Sequence, residues 1–212
     1  MSPHKYKLTY FSTQGCAEPI RLLFYALDIP FEDNRIPLER WSEYERDIPT
    51  HQPPYLEVVD NIGKTVIHSE IMAIARLIAR QHRMMGQSDE DYYRVERIIG
   101  QCMDLVEHRG KIHHAGGEER EKLITEFKAE IAPRLLESIC RSLKESDGLF
   151  VTGNTPSLGD LGILTALDQV AEIDHNMSQC QFLNEHRAAV LKKFPKLAEY
   201  VRNRPITTVW SA

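Results

Sequence analysis

The chain has 212 residues, enough for one large domain or two small ones. Hydrophobic residues make up 42% and charged residues 27%, near globular averages, which excludes a disordered chain, a collagen and a disulfide miniprotein. The 31 acidic and 26 basic residues give a net charge of −5, which disfavours general nucleic-acid binding, and no apolar run approaches the ~18 residues of a membrane span.

The opening segment, Met1-Ser-Pro-His-Lys-Tyr-Lys7, lacks the apolar stretch of a signal peptide. Cys16, Cys102, Cys140 and Cys180 are far apart and form no C-x-x-C pair, so reduced thiols in a cytosol are expected. Without a secretory signal the sequon Asn176-Met-Ser178 carries no meaning.

Lys7 to Phe11 is a short β-prone run broken by Gly15. Ile20, Leu23, Phe24 and Leu27 then share one helical face. Phe31 to Ile36 reads as a second strand. Tyr55 to Val59 and Thr65 to Ile67 flank Asp60-Asn-Ile-Gly-Lys64, a hairpin turn. Ser69 is the expected cap of a helix running to about Arg83. This order, β-α-β then β-β-α, predicts a small mixed sheet in an α/β domain over residues 1–83.

Residues 84–88 read as a linker, and only helical patterns follow over 89–212. Val95, Ile99, Cys102 and Val106 share a face. Leu123, Phe127, Ile131, Leu135, Ile139 and Leu143 recur every four residues, with Pro133 inside the pattern as an expected kink or split. Ser157 with Asp160 forms a variant capping box. The helix after it is apolar on several faces, as at the centre of a bundle. Pro195 opens a last short helix, which Arg204-Pro205 ends. His108, His113 and His114 lack the i,i+4 spacing of a metal site, and Gly63-Lys64-Thr65 lacks the earlier glycine of a phosphate loop.

Lys7-Leu-Thr-Tyr10-Phe11, then Gly15-x-Ala17-Glu18-x-Ile20-Arg21, resembles the start of the sigma-class glutathione transferases. Phe31-Glu-Asp33, Arg35-Ile36, Trp41, Ala73-Ile-Ala-Arg76 and Ser157-x-x-Asp160 extend the match. Met84-Met-Gly, Asp89-Glu-x-Tyr92-Tyr93 and Val95-Glu96 to Gln101 look most like the sigma-like enzymes of parasitic flatworms. The resemblance runs from Lys5 to about Pro205. It implies a thioredoxin-like glutathione-binding domain (α/β) followed by an all-α domain that holds the electrophile pocket.

The resemblance also implies site residues. A free thiol of pKa about 8.5 is only a few per cent ionised at neutral pH. Lowering it to about 6.5 takes roughly 2.7 kcal/mol. Tyr10 matches the tyrosine that donates to the thiolate, and Arg21 the arginine beside it. Without the resemblance they would read as a strand aromatic and a solvated helix charge. Trp41 matches the indole that reaches the glycyl carboxylate. Pro54 matches a cis-proline that frees the preceding backbone to pair with the cysteinyl unit, and here that residue is Pro53, which has no N–H. Glu70 matches the residue that holds the γ-glutamyl amine. Asp104 matches one that reaches the same amine from a partner subunit, which implies a homodimer.

Four positions depart from the pattern. Cys16 stands for an arginine, Glu45 for a lysine, Pro53 for an apolar residue with an N–H, and Ile71 for a serine that binds the γ-glutamyl carboxylate. Ser69 lies two positions early and substitutes only if the loop slips. The lost serine hydroxyl, the lost N–H at Pro53 and the reversed charge at Glu45 together amount to about 3–4 kcal/mol, or roughly 10²–10³ in affinity. Cys16 precedes the first helix, where helix N-termini favour thiolates.

The expectation is a cytosolic, homodimeric transferase that adds glutathione, its co-substrate, to small hydrophobic electrophiles. Glutathione binding is weakened, no metal is used, and the electrophile lies between Phe11 and the helix of Asp104 and His108. The alternatives are a non-catalytic ligand carrier or structural protein on the same scaffold, and a Cys16-based thiol transferase. The electrophile pocket is expected to extend along the C-terminal segment to Trp210.

Overall fold

The computed structural model describes residues 4–174 and 181–205. Cys180, the sequon at 176–178 and Trp210 lie outside them. Two compact units divide the chain: residues 4–82 with 194–205, and the described residues of 83–193.

The first unit is built on a four-stranded sheet of β1 (Lys5–Phe11), β2 (Glu32–Ile36), β3 (Tyr55–Val59) and β4 (Thr65–Ser69), in the order β2-β1-β3-β4. Strand β1 is central. Leu8, Thr9 and Tyr10 are buried in succession, so both of its faces are covered. Helix α1 (Glu18–Ala26) follows, with Pro19 in its first turn and Ile20, Leu22, Leu23 and Phe24 buried. Strand β2 runs parallel to β1. Strands β3 and β4 are antiparallel, joined by a turn in which Asp60 Oδ1 accepts from the N–H groups of Ile62 (3.0 Å) and Lys64 (2.9 Å). Helix α2 (Ile71–Gln81) buries Ile74, Ala75, Ile78 and Ala79 and packs on α1.

Ser69 is not the cap of α2. It ends β4 and pairs with Tyr55, and the cap position falls to Glu70, whose side chain makes no capping bond. Between β2 and β3 the chain forms two short 3-10 turns, Leu38–Glu43 and Glu45–Asp47.

The second unit is helical. Helix α3 (Asp89–His114) is capped by Ser88, whose Oγ accepts from the Asp91 N–H at 3.1 Å. Helix α4 (Gly117–Glu126) leads through a π-turn, Phe127–Ile131, into α5 (Ala132–Lys144). Pro133 thus falls in the first turn of a new helix, where its missing N–H costs nothing. Met84 and Met85 are buried in this unit, and the Met84 carbonyl accepts from Leu158 N–H at 2.8 Å, so they are core rather than free linker.

Helix α6 (Leu158–Ile173) is buried on nearly every face, as its sequence predicts, and packs chiefly on α3. Its start is a closed polar knot. Asp160, fully buried, accepts from Ser157 N–H and Ser157 Oγ (2.7 Å each) and from Val151 N–H (2.9 Å), and His186 Nε2 lies 2.7 Å from it. His186 sits on α7 (Gln181–Lys193), a helix that the chain's periodicity did not single out.

Helix α8 (Pro195–Asn203) belongs to the first unit and packs on α1, with Tyr25 stacked on Tyr200 at 4.1 Å and Leu197 buried. Among the described residues no helix is long and apolar enough to cross a membrane.

Removing the Asp160 carboxylate strands several buried donors at once. Asp160→Ala is expected to cost about 3–5 kcal/mol, read as a lower midpoint of urea unfolding. A loss below about 1 kcal/mol would contradict this account of the knot.

Candidate active site

The register of the sheet gathers the site. Phe11 at the end of β1 stands beside Ile36 at the end of β2, and Thr9 pairs with Tyr55 at the start of β3. Tyr55 pairs in turn with Ser69 at the end of β4. The loop after β1, the turns after β2, the Pro53–Pro54 step and Glu70 therefore emerge at one end of the strands.

Tyr10 is 8% exposed. Its hydroxyl accepts the backbone N–H of Cys16 at 3.2 Å. This closure depends on Gly15. With φ at +41° it occupies left-handed backbone, and a Cβ there would stand 2.7 Å from the Tyr10 hydroxyl and 2.8 Å from its ring. Burial pushes the Tyr10 phenol up to about 12, helped by the Cys16 thiol beside its hydroxyl and opposed by the Cys16 N–H and the Arg21 guanidinium. Tyr10 therefore remains a protonated donor through the physiological range. Cys16 itself is exposed.

Arg21 is fully buried, with its guanidinium carbon 5.9 Å from the centre of the Tyr10 ring. Nε reaches Asp33 (3.0 and 3.1 Å), and Nη1 reaches the carbonyls of Thr13 (2.9 Å) and Gln14 (3.1 Å) and Glu18 Oε2 (3.4 Å). Two carboxylates balance the cation and Nη1 ties it to the loop that carries Gly15 and Cys16, while Nη2 is buried with no hydrogen-bond partner among the described residues. The reason is burial: a lone guanidinium there would be prohibitively costly, so Glu18 and Asp33 accompany it. Sequence reasoning gave these two acids no role, although the i,i+3 spacing of Glu18 and Arg21 was visible.

Trp41 sits in the first 3-10 turn, edge-on to Phe11 at 6.1 Å, and Phe11 packs on Tyr10 at 5.0 Å. The Pro53–Pro54 peptide is cis, and Pro54 is buried next to Tyr55. Pro53 offers a carbonyl but no N–H. Glu70 is exposed and holds φ +72°, ψ 112°, an unusual backbone for a non-glycine residue. The Glu70 side chain makes no capping bond at the start of α2, whose first-turn N–H groups have no intrahelical partner. Ile71, which opens α2, brings no hydroxyl to that end. Glu45 opens the second 3-10 turn.

Tyr10, Cys16, Arg21, Trp41, Glu45, Pro53, Pro54, Glu70 and Ile71 all belong to the first unit. Asp104 belongs to the second. It is exposed on α3 and lines a cleft of about 410 Å³ with Gln101, Arg134 and Leu135. Burial pushes the nearby Cys102 thiol up, so it is an inert core residue.

A βαβ-ββα sheet with a cis-proline before its third strand, a buried phenol at the end of the first and a helical unit after it define a thioredoxin-like transferase architecture. Residues 103–204 match the family described as Glutathione S-transferase, C-terminal domain. The chain is 36% identical over 203 residues to the glutathione S-transferase class-mu 28 kDa isozyme of Schistosoma japonicum, covering 95% of this chain and 98% of that one. The Schistosoma mansoni isozyme is likewise 36% identical, over 209 residues, covering 98% of this chain and 99% of that one. Among solved structures, the sigma class GST of Fasciola hepatica superposes with a TM-score of 0.89 at 38% identity, covering 97% of this chain and 99% of that one. The chain belongs to the glutathione S-transferase family.

Gly15→Ala is expected to displace the Tyr10 hydroxyl and lower glutathione-dependent turnover by about tenfold or more, at little cost to glutathione binding. Unchanged turnover in steady-state assays would contradict this role for Gly15.

Proposed function

We propose that this family member adds the glutathione thiolate to small hydrophobic electrophiles, as a homodimeric cytosolic enzyme of detoxification. The observation that carries this reading is the Tyr10 hydroxyl, buried, protonated and already accepting the Cys16 N–H at 3.2 Å. The backbone engages one acceptor lone pair of this oxygen, and its proton can donate to a sulfur, with the Cys16 thiol already beside it. A hydrogen bond polarised by an upstream donor is strengthened as a donor in turn. Bonds to charged groups are worth about 1.5–3 kcal/mol, which brackets the 2.7 kcal/mol or so needed to move a thiol from about 8.5 to about 6.5. The thiol proton leaves to solvent, the sulfur bonds to the electrophilic carbon, and the leaving group departs as an anion.

Trp41 supplies an indole N–H for the glycyl carboxylate, and the Pro53 carbonyl accepts from the cysteinyl backbone. Glu70 takes the γ-glutamyl amine, and the uncapped start of α2 takes its carboxylate. Asp104 completes the amine site of a second copy. That arrangement accounts for an exposed acid on α3 and supports the dimer.

The same inventory supports reduced affinity for glutathione. Pro53 cannot donate, Ile71 brings no hydroxyl to the start of α2, and Glu45 puts a negative charge where the resemblance calls for a positive one.

Steady-state kinetics with glutathione and a chlorinated nitroaromatic test both points. Tyr10→Phe is expected to lower kcat by about 10–100-fold, and Ile71→Ser to lower KM for glutathione by about tenfold. Equal turnover in Tyr10→Phe and the parent would overturn the enzymatic reading in favour of a ligand carrier.

A further inference from the structure

Helix α8 and the two residues after it are separated from the Tyr10 loop by most of the sequence, yet they supply three attachments to that loop and to Glu18 at the start of α1. Glu18, two residues after Cys16, is 3% exposed. Its Oε1 accepts from Arg204 Nη1 at 2.7 Å, just past the end of α8, and its Oε2 accepts from the Tyr200 hydroxyl at 3.0 Å. Gln14 Nε2 donates to the Pro205 carbonyl at 3.2 Å. Tyr200 is itself fixed by its stack on Tyr25 and by Arg35 Nη2, 3.4 Å from its hydroxyl.

Without Arg204 and Tyr200, Glu18 would keep, among the described residues, the 3.4 Å contact from Arg21. A buried carboxylate so poorly paired would turn toward solvent or draw Arg21 away from the Thr13 and Gln14 carbonyls. Either movement shifts Gly15 and Cys16, whose N–H fixes the Tyr10 hydroxyl.

We propose that Tyr200 and Arg204 are positioning residues for the transferase reaction: through Glu18 they hold the Gly15–Cys16 turn against Tyr10 and so set how well its phenol donates to the thiolate. This rests on the glutathione transferase reading for its catalytic consequence, but not for the positioning itself. Neither residue touches the reacting sulfur. The C-terminal helix thus acts as a clasp on the thiolate-binding end of the sheet, and side-chain changes in it would tune thiol ionisation from a distance.

Two measurements on the full chain test this. The first is amide hydrogen exchange without ligand, on the parent, Tyr200→Phe, Arg204→Met and Arg204→Lys. Exchange across residues 13–17 is expected to speed up about tenfold in Tyr200→Phe and Arg204→Met and to recover in Arg204→Lys, with β3 and β4 unchanged. The second is the pH dependence of kcat/KM with a chlorinated nitroaromatic. Its rising limb is expected to move up by about half to one pH unit in the same two variants, a three- to tenfold loss at neutral pH. Unchanged exchange over 13–17 would overturn the clasp. Faster exchange with a superimposable pH profile would overturn its positioning role and leave it a purely structural contact. A parent without glutathione-dependent turnover would sink the functional reading, and the exchange data alone would then decide the clasp.

Discussion

The 3.2 Å hydrogen bond from the Cys16 N–H to the Tyr10 hydroxyl is the contact on which the rest of the site turns. It engages a lone pair of the phenol oxygen from the backbone side, with the Cys16 thiol beside the same hydroxyl. Every nearby feature serves that geometry. Gly15 is needed because any side chain would strike the hydroxyl. Arg21 gathers the carbonyls of Thr13 and Gln14, and the short turn from Gly15 runs straight into α1. Burial raises the phenol's pKa, which keeps it a neutral donor where an ionised one would repel a thiolate.

The charges beneath the site show how a polar cluster is carried inside a small unit. Arg21, Arg35 and Arg204 interleave with Glu18 and Asp33, and Tyr200 joins them. Buried ion pairs add little net stability, since desolvation consumes most of their attraction. What such a cluster fixes here is geometry. Each acid has at least two cationic partners, so the loop above it has few alternative arrangements. The helical unit uses the same economy at Asp160, where one carboxylate closes the start of α6 and meets His186 on α7.

Much of this was legible in the sequence. β-prone runs and turn chemistry found the strands, Pro133 announced the break before α5, and Ser157 with Asp160 announced the cap of α6. Tyr10, Trp41 and the Pro53–Pro54 step came from a pattern that spans the chain. What stayed hidden depends on tertiary contacts. Ser69 has the chemistry of a cap, but pairing with Tyr55 carries β4 through it and passes the position to Glu70. Met84 and Met85 sit between two patterned regions and read as linker, yet they are buried. Glu18 and Asp33 accompany Arg21 because it is fully buried, and that burial has no local signal. The service of α8 to the first unit has no local signal, because its partners lie some 180 residues away.

The most direct measurement is the ionisation of glutathione bound to the protein, followed by ultraviolet absorbance of the thiolate as pH is raised. The expected result is a bound thiol that titrates near 6.5, about two units below a free thiol, with no second transition from Tyr10 below pH 10. A bound thiol that titrates near 8.5, as it does in solution, would contradict the claim that the Tyr10 hydroxyl, held by Cys16, is built to stabilise a thiolate.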